Sequence, residues 1–359
     1  MFLKFVYPLV RYFTPLNVFQ YLTFRTAYGA LTTLLLCYLL GPRIIQGLQK
    51  LRVGQSIRGD GPLTHLKKGG TPTMGGVMII LSVFISVLLW QDLGNFKVWL
   101  CLGSLLAFSA IGYVDDYLKV TRKNADGLPG GVKFGAQIAV ALTVTLILYF
   151  SGGEGISQLY LPFFKNPVLD MGPLWIPFAV LLLVGESNAV NLTDGLDGLA
   201  TGLLIWVFIT LGILSYLSGR ADFSAYLGIP YIEGAGELTV FCLAAVGACV
   251  GFLWFNAHPA EVFMGDVGSL SLGGIIATIS LIIKKEILIL IIGGVFVVEA
   301  ASVILQVVSF KLWKRRIFKM APLHHHFELS GWVETKVVIR FWILGGLFAI
   351  IALSTLKIQ

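Results

Sequence analysis

Residues 238–283 read LTVFCLAAVGACVGFLWFNAHPAEVFMGDVGSLSLGGIIATISLII, two apolar runs separated by a short polar loop. The first run, 238–255, carries no charge over eighteen residues. That is close to the roughly twenty an α-helix needs to cross about 30 Å of hydrocarbon. The loop then gathers Asn256, His258, Glu261 and Asp266, and the chain returns through a glycine-rich apolar run at 268–283. A span, a polar hairpin and a second span imply an all-α integral membrane protein.

Working outward, the same criterion gives about ten spans: 18–40, 72–91, 98–114, 134–151, 173–190, 197–217, 238–255, 268–283, 287–310 and 337–356. Composition agrees, since 57% of the 359 residues are hydrophobic and 13% charged, against about a quarter charged in soluble domains. Residues 1–17 lack a cleavable signal pattern and read as an interfacial amphipathic segment. No fixed-period repeat is visible, and 1–359 reads as a single polytopic domain. Lysine and arginine number sixteen in the loops after spans 1, 3, 5, 7 and 9, and eight in the other loops and both tails. Cytoplasmic loops carry the excess, so both termini are expected outside, in the periplasm, and the odd-numbered connections inside. The net charge of +7 resides in these short loops, which points to anionic lipid or an anionic substrate and to no nucleic acid. Cys37, Cys101, Cys242 and Cys249 fall in apolar runs without metal-ligand spacing and read as small hydrophobes.

Polar clusters collect on the odd-numbered side. GYVDDYLKV (112–120) brings Asp115 and Asp116 to the end of span 3. Taken alone the pair also suits a solvated helix end, although a helix C-terminus disfavours carboxylates. NAVNLTDGLDGLA (188–200) supplies Asn188, Asn191, Asp194 and Asp197 between spans 5 and 6. The two aspartates at i,i+3 would share a helix face, and an N-cap role serves them equally well. Asp266, between Gly265 and Val267 where Gly268 and Ser269 open span 8, reads either as a cap or as a carboxylate beside backbone N–H groups that suit a metal-bound phosphate. In APLHHHFE (321–328), His324, His325 and His326 cannot all face one way. Ionisable groups at a membrane boundary are costly unless paired, solvated or functional.

Several carboxylates with oxygen-donor neighbours suit magnesium, a hard cation that bridges substrate phosphates. The basic loop from Arg43 to Lys68, with its GGTPTMGG tail (69–76), and the KRRIFK run (314–319) offer cations around a polyphosphate. No GxxxxGK[ST] occurs, so machinery for ATP hydrolysis is not visible. A transporter would place ionisable groups near the midplane and usually repeat its halves. Here the carboxylates crowd the span ends, leaving chiefly Arg25, Glu299 and Arg340 within spans.

LTFR (22–25), GTPTMGG (70–76), VDDYLK (114–119), NAVNLTDGLDGLA, FMGDVGSL (263–270) and APLHHHFE together resemble the phospho-N-acetylmuramoyl-pentapeptide transferases, nearly end to end. These belong to the wider polyprenyl-phosphate N-acetylhexosamine-1-phosphate transferases, and the histidine stretch separates them from siblings that transfer N-acetylglucosamine-1-phosphate. The resemblance implies transfer of phospho-N-acetylmuramoyl-pentapeptide from its UDP ester to undecaprenyl phosphate, giving lipid I and UMP, the first membrane step of peptidoglycan synthesis. It implies Mg2+, a homodimer in the bacterial inner membrane, and a bent ninth span beside a lipid groove that Glu299 suits. By motif, Asp115, Asp116, Asp266 and His324 are its catalytic residues, with Asp266 the metal ligand. Lys68, Asn191, Asp194, Asp197, Asn256 and Phe263 lie around the nucleotide sugar, Phe263 offering its ring to uracil. Thr73, Asn188, Ser269, His325 and His326 complete the substrate-binding set. Because a phosphate monoester is largely dianionic at neutral pH, direct attack by the lipid phosphate is favoured over an Asp116 phosphate intermediate.

Overall fold

A computed structural model describes residues 1–50, 70–122, 127–153 and 155–356 of the chain. Short π and 3-10 turns, Phe2–Val6, Tyr7–Arg11 and Thr14–Gln20, precede the helices. Nine described helices are long and apolar enough to cross a membrane. They are α1 (Leu22–Lys50), α3 (Phe96–Arg122), α4 (Gly130–Ser151), α5 (Trp175–Thr193), α6 (Leu199–Ser218), α8 (Glu237–Asn256), α9 (Gly265–Ile282), α11 (Gly294–Trp313) and α13 (Glu334–Ser354). The remaining helices are α2 (Gly76–Trp90), α7 (Ala221–Leu227), α10 (Ile289–Ile292) and α12 (Leu323–Glu328). Gln158–Leu159 and Leu169–Asp170 form a two-stranded antiparallel hairpin.

The expected second span is shorter than its apolar stretch. Helix α2 has 15 residues, about 22 Å at 1.5 Å per residue, because residues 72–76 are used in a backbone ladder instead. Phe263 N donates to Pro72 O at 2.9 Å, Gly75 N to Phe263 O at 2.8 Å and Gly76 N to Met264 O at 2.8 Å. The ninth apolar run is interrupted at the Gly293–Gly294 pair, where α10 ends and α11 begins; glycine is a poor helix former. Helices α1 and α3 run about ten and eight residues beyond their expected ends, since a helix continues through polar residues once past the hydrocarbon.

Helix α9 is the axis of the bundle. Every residue from Asp266 to Ile282 is buried, and it packs chiefly against α3 and α5. Small residues let these backbones approach, as expected where van der Waals contact drives association in lipid. A Cβ on Gly273 would stand 2.5 Å from Glu186 O on α5, and one on Gly274 2.5 Å from the Phe108 ring on α3. Ser104 and Thr278 hydroxyls meet across the α3–α9 seam at 2.8 Å. Arg25, a charge within α1, is neutralised by Glu237 on α8 at 2.7 and 2.6 Å and donates to Trp90 O at 3.2 Å. It braces three elements. All four cysteines are buried and unpaired as disulfides.

Candidate active site

Three carboxylates come together at one end of α9. Asp115 and Asp116 lie on α3 and Asp266 in the first turn of α9, all buried, with ligand oxygens within 4.8 Å of one another. The aspartate pair is not at a helix end: α3 continues to Arg122, which brings Lys119 onto the same face. Lys119 Nζ lies 2.6 Å from Asp115 Oδ2, 3.4 Å from Asp116 Oδ1 and 2.9 Å from Asp266 Oδ2. Lys133, from the first turn of α4, contacts Asp266 Oδ2 and lies 3.4 Å from Asp115 Oδ2. Three carboxyl groups are thus held by two lysines.

Backbone and amide donors complete the cluster. Leu128 N donates to Asp115 Oδ1 at 2.8 Å and Val267 N to Asp116 Oδ2 at 3.2 Å. The α9 N-terminus, expected to meet a phosphate, therefore already receives the Asp116 carboxylate. The N-cap of α9 is Met264, not Asp266; Asp266 Oδ1 accepts from Asn191 Nδ2 at 2.7 Å, and that amide also reaches Ser269 Oγ at 2.8 Å. Two glycines set the spacing. Gly265 has φ +71°, a left-handed conformation that glycine tolerates, and a Cβ there would lie 2.5 Å from Asp116 Oδ2 and 2.8 Å from Thr73 Oγ1. Gly112 brings α3 flush onto α9, with a Cβ falling 2.2 Å from Asp266 O.

Asp194 and Asp197 lie in the turn between α5 and α6 rather than on one helix face, and the N-cap of α6 is Gly198 at φ +77°. They serve different neighbourhoods. Asp194 accepts from Gly265 N, and its carboxyl is pushed up to about 7 by burial first, then by the charges of Asp266 and Asp116. Asp197 Oδ2 meets His258 Nδ1 at 2.8 Å and Ala260 N at 3.2 Å, with Glu334 also near His258, at 3.8 Å. Asn256, deeply buried, accepts from Thr201 Oγ1 at 2.8 Å and donates to Val262 O at 2.9 Å, bracing the α8–α9 loop. Phe263, in the ladder with Pro72, is half-buried.

The histidines diverge. His324 is fully buried; its backbone N–H donates to Glu299 Oε1 at 3.1 Å and its Nδ1 lies 3.3 Å from the same oxygen. Its Nε2 abuts Gly195, where a Cβ would stand 2.3 Å away. Glu299 thus anchors the histidine helix. His325 Nδ1 pairs with Glu328 at 2.8 Å, and His326 Nδ1 accepts from Lys319 N at 3.1 Å. Asn188 is turned from the aspartates, paired with Gln137 on α4 at 2.8 Å and with Val184 O at 2.8 Å. Lys68 lies outside the described residues.

The structure therefore brings Asp115, Asp116, Asp266, Asn191, Ser269, Asp194 and Thr73 into one neighbourhood, sets Asp197 and Asn256 beside it, and leaves Asn188 on a helix seam. Lys119 and Lys133 were not singled out from the sequence. The i,i+4 spacing of Lys119 from Asp115 was a usable signal; no local pattern marks Lys133. For a metal, the donors on offer are carboxylate oxygens, with no cysteine or histidine among the three, which fits magnesium.

The glycosyl transferase family 4 model matches residues 98–284, which hold every one of these aspartates. A phospho-N-acetylmuramoyl-pentapeptide-transferase of Thermodesulfovibrio yellowstonii is 53% identical over 100% of both chains. Proteins of that name from Koribacter versatilis and Dichelobacter nodosus are 51% and 53% identical, over 98% and 97% of this chain and 97% of each of theirs. The chain belongs to the phospho-N-acetylmuramoyl-pentapeptide-transferase family. As a member it is an enzyme, a glycosyl-phosphate transferase, built on a multi-pass membrane scaffold. Of the segments that carry the resemblance, those at 70–76, 112–120, 188–200, 263–270 and 321–328 lie at one end of the bundle, whereas LTFR, with Arg25 on Glu237 and Trp90, does not.

Proposed function

We propose that this chain transfers phospho-N-acetylmuramoyl-pentapeptide from UDP-N-acetylmuramoyl-pentapeptide to undecaprenyl phosphate, releasing UMP and forming lipid I, the first membrane step of peptidoglycan synthesis. The observation that carries it is the junction of Asp115, Asp116 and Asp266 with Lys119 and Lys133, at one end of membrane-length helices. A water-soluble diphosphate and a lipid phosphate can meet there. The lysine and arginine distribution supports a cytoplasmic placement of that end and periplasmic termini, in a bacterial inner membrane. A homodimer is part of the same reading, which rests on family membership.

The reaction exchanges one phosphoanhydride for another, so alignment and charge neutralisation are most of the task. Asp266, with Asp115 or Asp116, would hold magnesium, which supplies positive charge to the diphosphate. Lys119 and Lys133 would turn from carboxylate to phosphate oxygens as substrate arrives. Asn191 and Ser269 fix the Asp266 carboxylate, and Asp194, Asp197, Asn256 and Phe263 would line the nucleotide side, with Thr73 beside Gly265. Lys68, Asn188, His325 and His326 keep the substrate-side roles that their motifs imply, and His324 a catalytic one. Both Asp116 oxygens are already engaged, one by Val267 N and one by Lys119. That favours direct attack by the lipid phosphate over a covalent Asp116 intermediate.

The test is UMP release from UDP-N-acetylmuramoyl-pentapeptide by the purified chain in detergent, with undecaprenyl phosphate and magnesium each present or omitted. Release that needs both is expected. Release without lipid would overturn direct attack, and turnover of UDP-N-acetylglucosamine instead would reassign the donor.

A further inference from the structure

At the opposite end of α9, the turn at 283–288 carries Lys284, Lys285 and Glu286, which are 6%, 7% and 0% exposed. Lys284 is satisfied within the protein. Its Nζ donates to Glu286 Oε1 at 2.6 Å and to Ile156 O at 2.6 Å, and lies 5.4 Å over the Trp175 ring. Trp175 Nε1 donates to the same glutamate oxygen at 3.4 Å, and Glu286 Oε2 makes no hydrogen bond. The Lys285 side chain has neither a hydrogen bond nor an ion pair among the described residues. Glu286 attracts Lys285 through space but is bonded to Lys284, so among the described residues the Lys285 ammonium has no hydrogen-bonded anion of its own.

Lys285 forms one wall of a recess of about 350 Å3, counting the open space at its mouth, together with Tyr160, Pro162, Phe164 and Pro230. Lys285 lines this recess and is its more exposed lysine by a narrow margin, at 7%. Four chain segments close the recess: the hairpin region after α4, the segment before α8, the α9–α10 turn and the end of α13. These are places where apolar spans stop, the depth of lipid headgroups. Burial lowers the Lys285 ammonium to about 8, which leaves it charged at neutral pH.

An unpaired ammonium in such surroundings is costly unless an anion accompanies it. Among the described residues the turn carries one more lysine than glutamate, and a phosphodiester carries one negative charge. The apolar lining from Pro162 and Phe164 suits the glycerol and upper acyl region of a membrane lipid, and basic pockets between membrane helices take anionic headgroups. We propose that Lys285 and its recess bind the phosphodiester of an anionic glycerophospholipid, with one phosphate oxygen against the ammonium.

The experiment is native mass spectrometry of the full chain released from detergent, titrated with phosphatidylglycerol, phosphatidylcholine or inorganic phosphate. Phosphatidylglycerol adducts are expected on the wild type and on Lys285→Arg, with affinity about fivefold to tenfold lower in Lys285→Met, in line with the contribution of one basic residue. Equal binding by Lys285→Met and wild type would overturn the site. Displacement of the lipid by inorganic phosphate at matched concentration would overturn the lipid as its occupant and leave a small-anion site. Should Lys285→Met fail to fold, thermal unfolding of the wild type decides. Phosphatidylglycerol must raise its midpoint more than phosphatidylcholine does, and equal shifts would sink the proposal.

Discussion

Among the described residues, helix α9 carries a cluster of ionisable groups at each end, acidic in the majority at one and basic at the other. At its N-terminal end Asp115, Asp116 and Asp266 outnumber Lys119 and Lys133; at the other, Lys284 and Lys285 outnumber Glu286. Buried charge is expensive in a membrane protein, so a surplus that survives folding says what is missing. A negative surplus flanked by lysines calls for a cation and for phosphate oxygens that can take over the lysines. A positive surplus beside an apolar recess calls for an anion with an apolar body. The two ends also differ in construction. The aspartate end draws on α3, α4, α5 and α9 and gives nearly every carboxylate oxygen a named donor. At the far end Lys284 and Glu286 close one pair, and Lys285 makes no hydrogen bond among the described residues.

The largest effect should come from the metal-holding carboxylate. Asp266→Asn is expected to lower UMP release on the order of 10³-fold, the scale of losing one preorganised electrostatic partner, and to raise the magnesium concentration needed for half-activity. An unchanged magnesium requirement would remove Asp266 from the ligands and erase the contrast between the two ends. Next comes Lys119→Met, expected to cost on the order of 10²-fold in turnover, whereas Lys285→Met in the same detergent assay should stay within about twofold of wild type. Similar losses in both would mean that the two clusters are coupled. Gly112→Ala tests geometry without touching a charge. A Cβ there meets Asp266 O at 2.2 Å and Val267 N at 2.6 Å, backbone atoms that cannot move aside alone. A displacement near 1 Å can cost on the order of 10²-fold, with binding of the nucleotide less affected than turnover.

The helices were readable because hydropathy and length report the one thing lipid demands of a span. Their ends were less so. Helix α3 passes through Asp115 and Asp116 to Arg122, and those roughly two extra turns bring Lys119 into the site. The same hydropathy cut-off that found the span placed the aspartates at its end and hid the lysine. Lys133 reaches Asp266 from 133 residues away in sequence, a contact that only the packing of α4 creates. The ladder between 72–76 and 263–264 also lies beyond periodicity, which is why α2 is shorter than its apolar run. Glu299, read as a mark of a bent span, turns out to hold the backbone of His324. In each case the residue was visible and its partner was not.

Asp194 gives the smallest effect and the one that ties the aspartate end to its surplus charge. Its carboxyl stands at about 7, against roughly 3.9 for an unperturbed aspartate. The folded chain therefore binds this proton more tightly than the unfolded chain does. Between those values the folded state holds more protons, so stability falls as pH rises. The contribution is complete below about pH 4 and lost as pH passes through 7. Asp194→Asn has no proton to lose, and its melting midpoint in detergent should gain on the wild type from pH 5 to pH 8. Partial exposure of Asp194 limits the gain to on the order of 2–4 °C, the shift that about 1 kcal/mol produces in a domain of moderate size. Parallel curves would show that Asp194 ionises without penalty. Adding magnesium discriminates the causes: a cation among Asp116 and Asp266 offsets the charges that act on Asp194 and leaves its burial untouched. The gap between variant and wild type at pH 8 should narrow with magnesium without closing. A gap indifferent to magnesium would mean that burial alone raises the group and that the negative surplus does not extend to the nucleotide side.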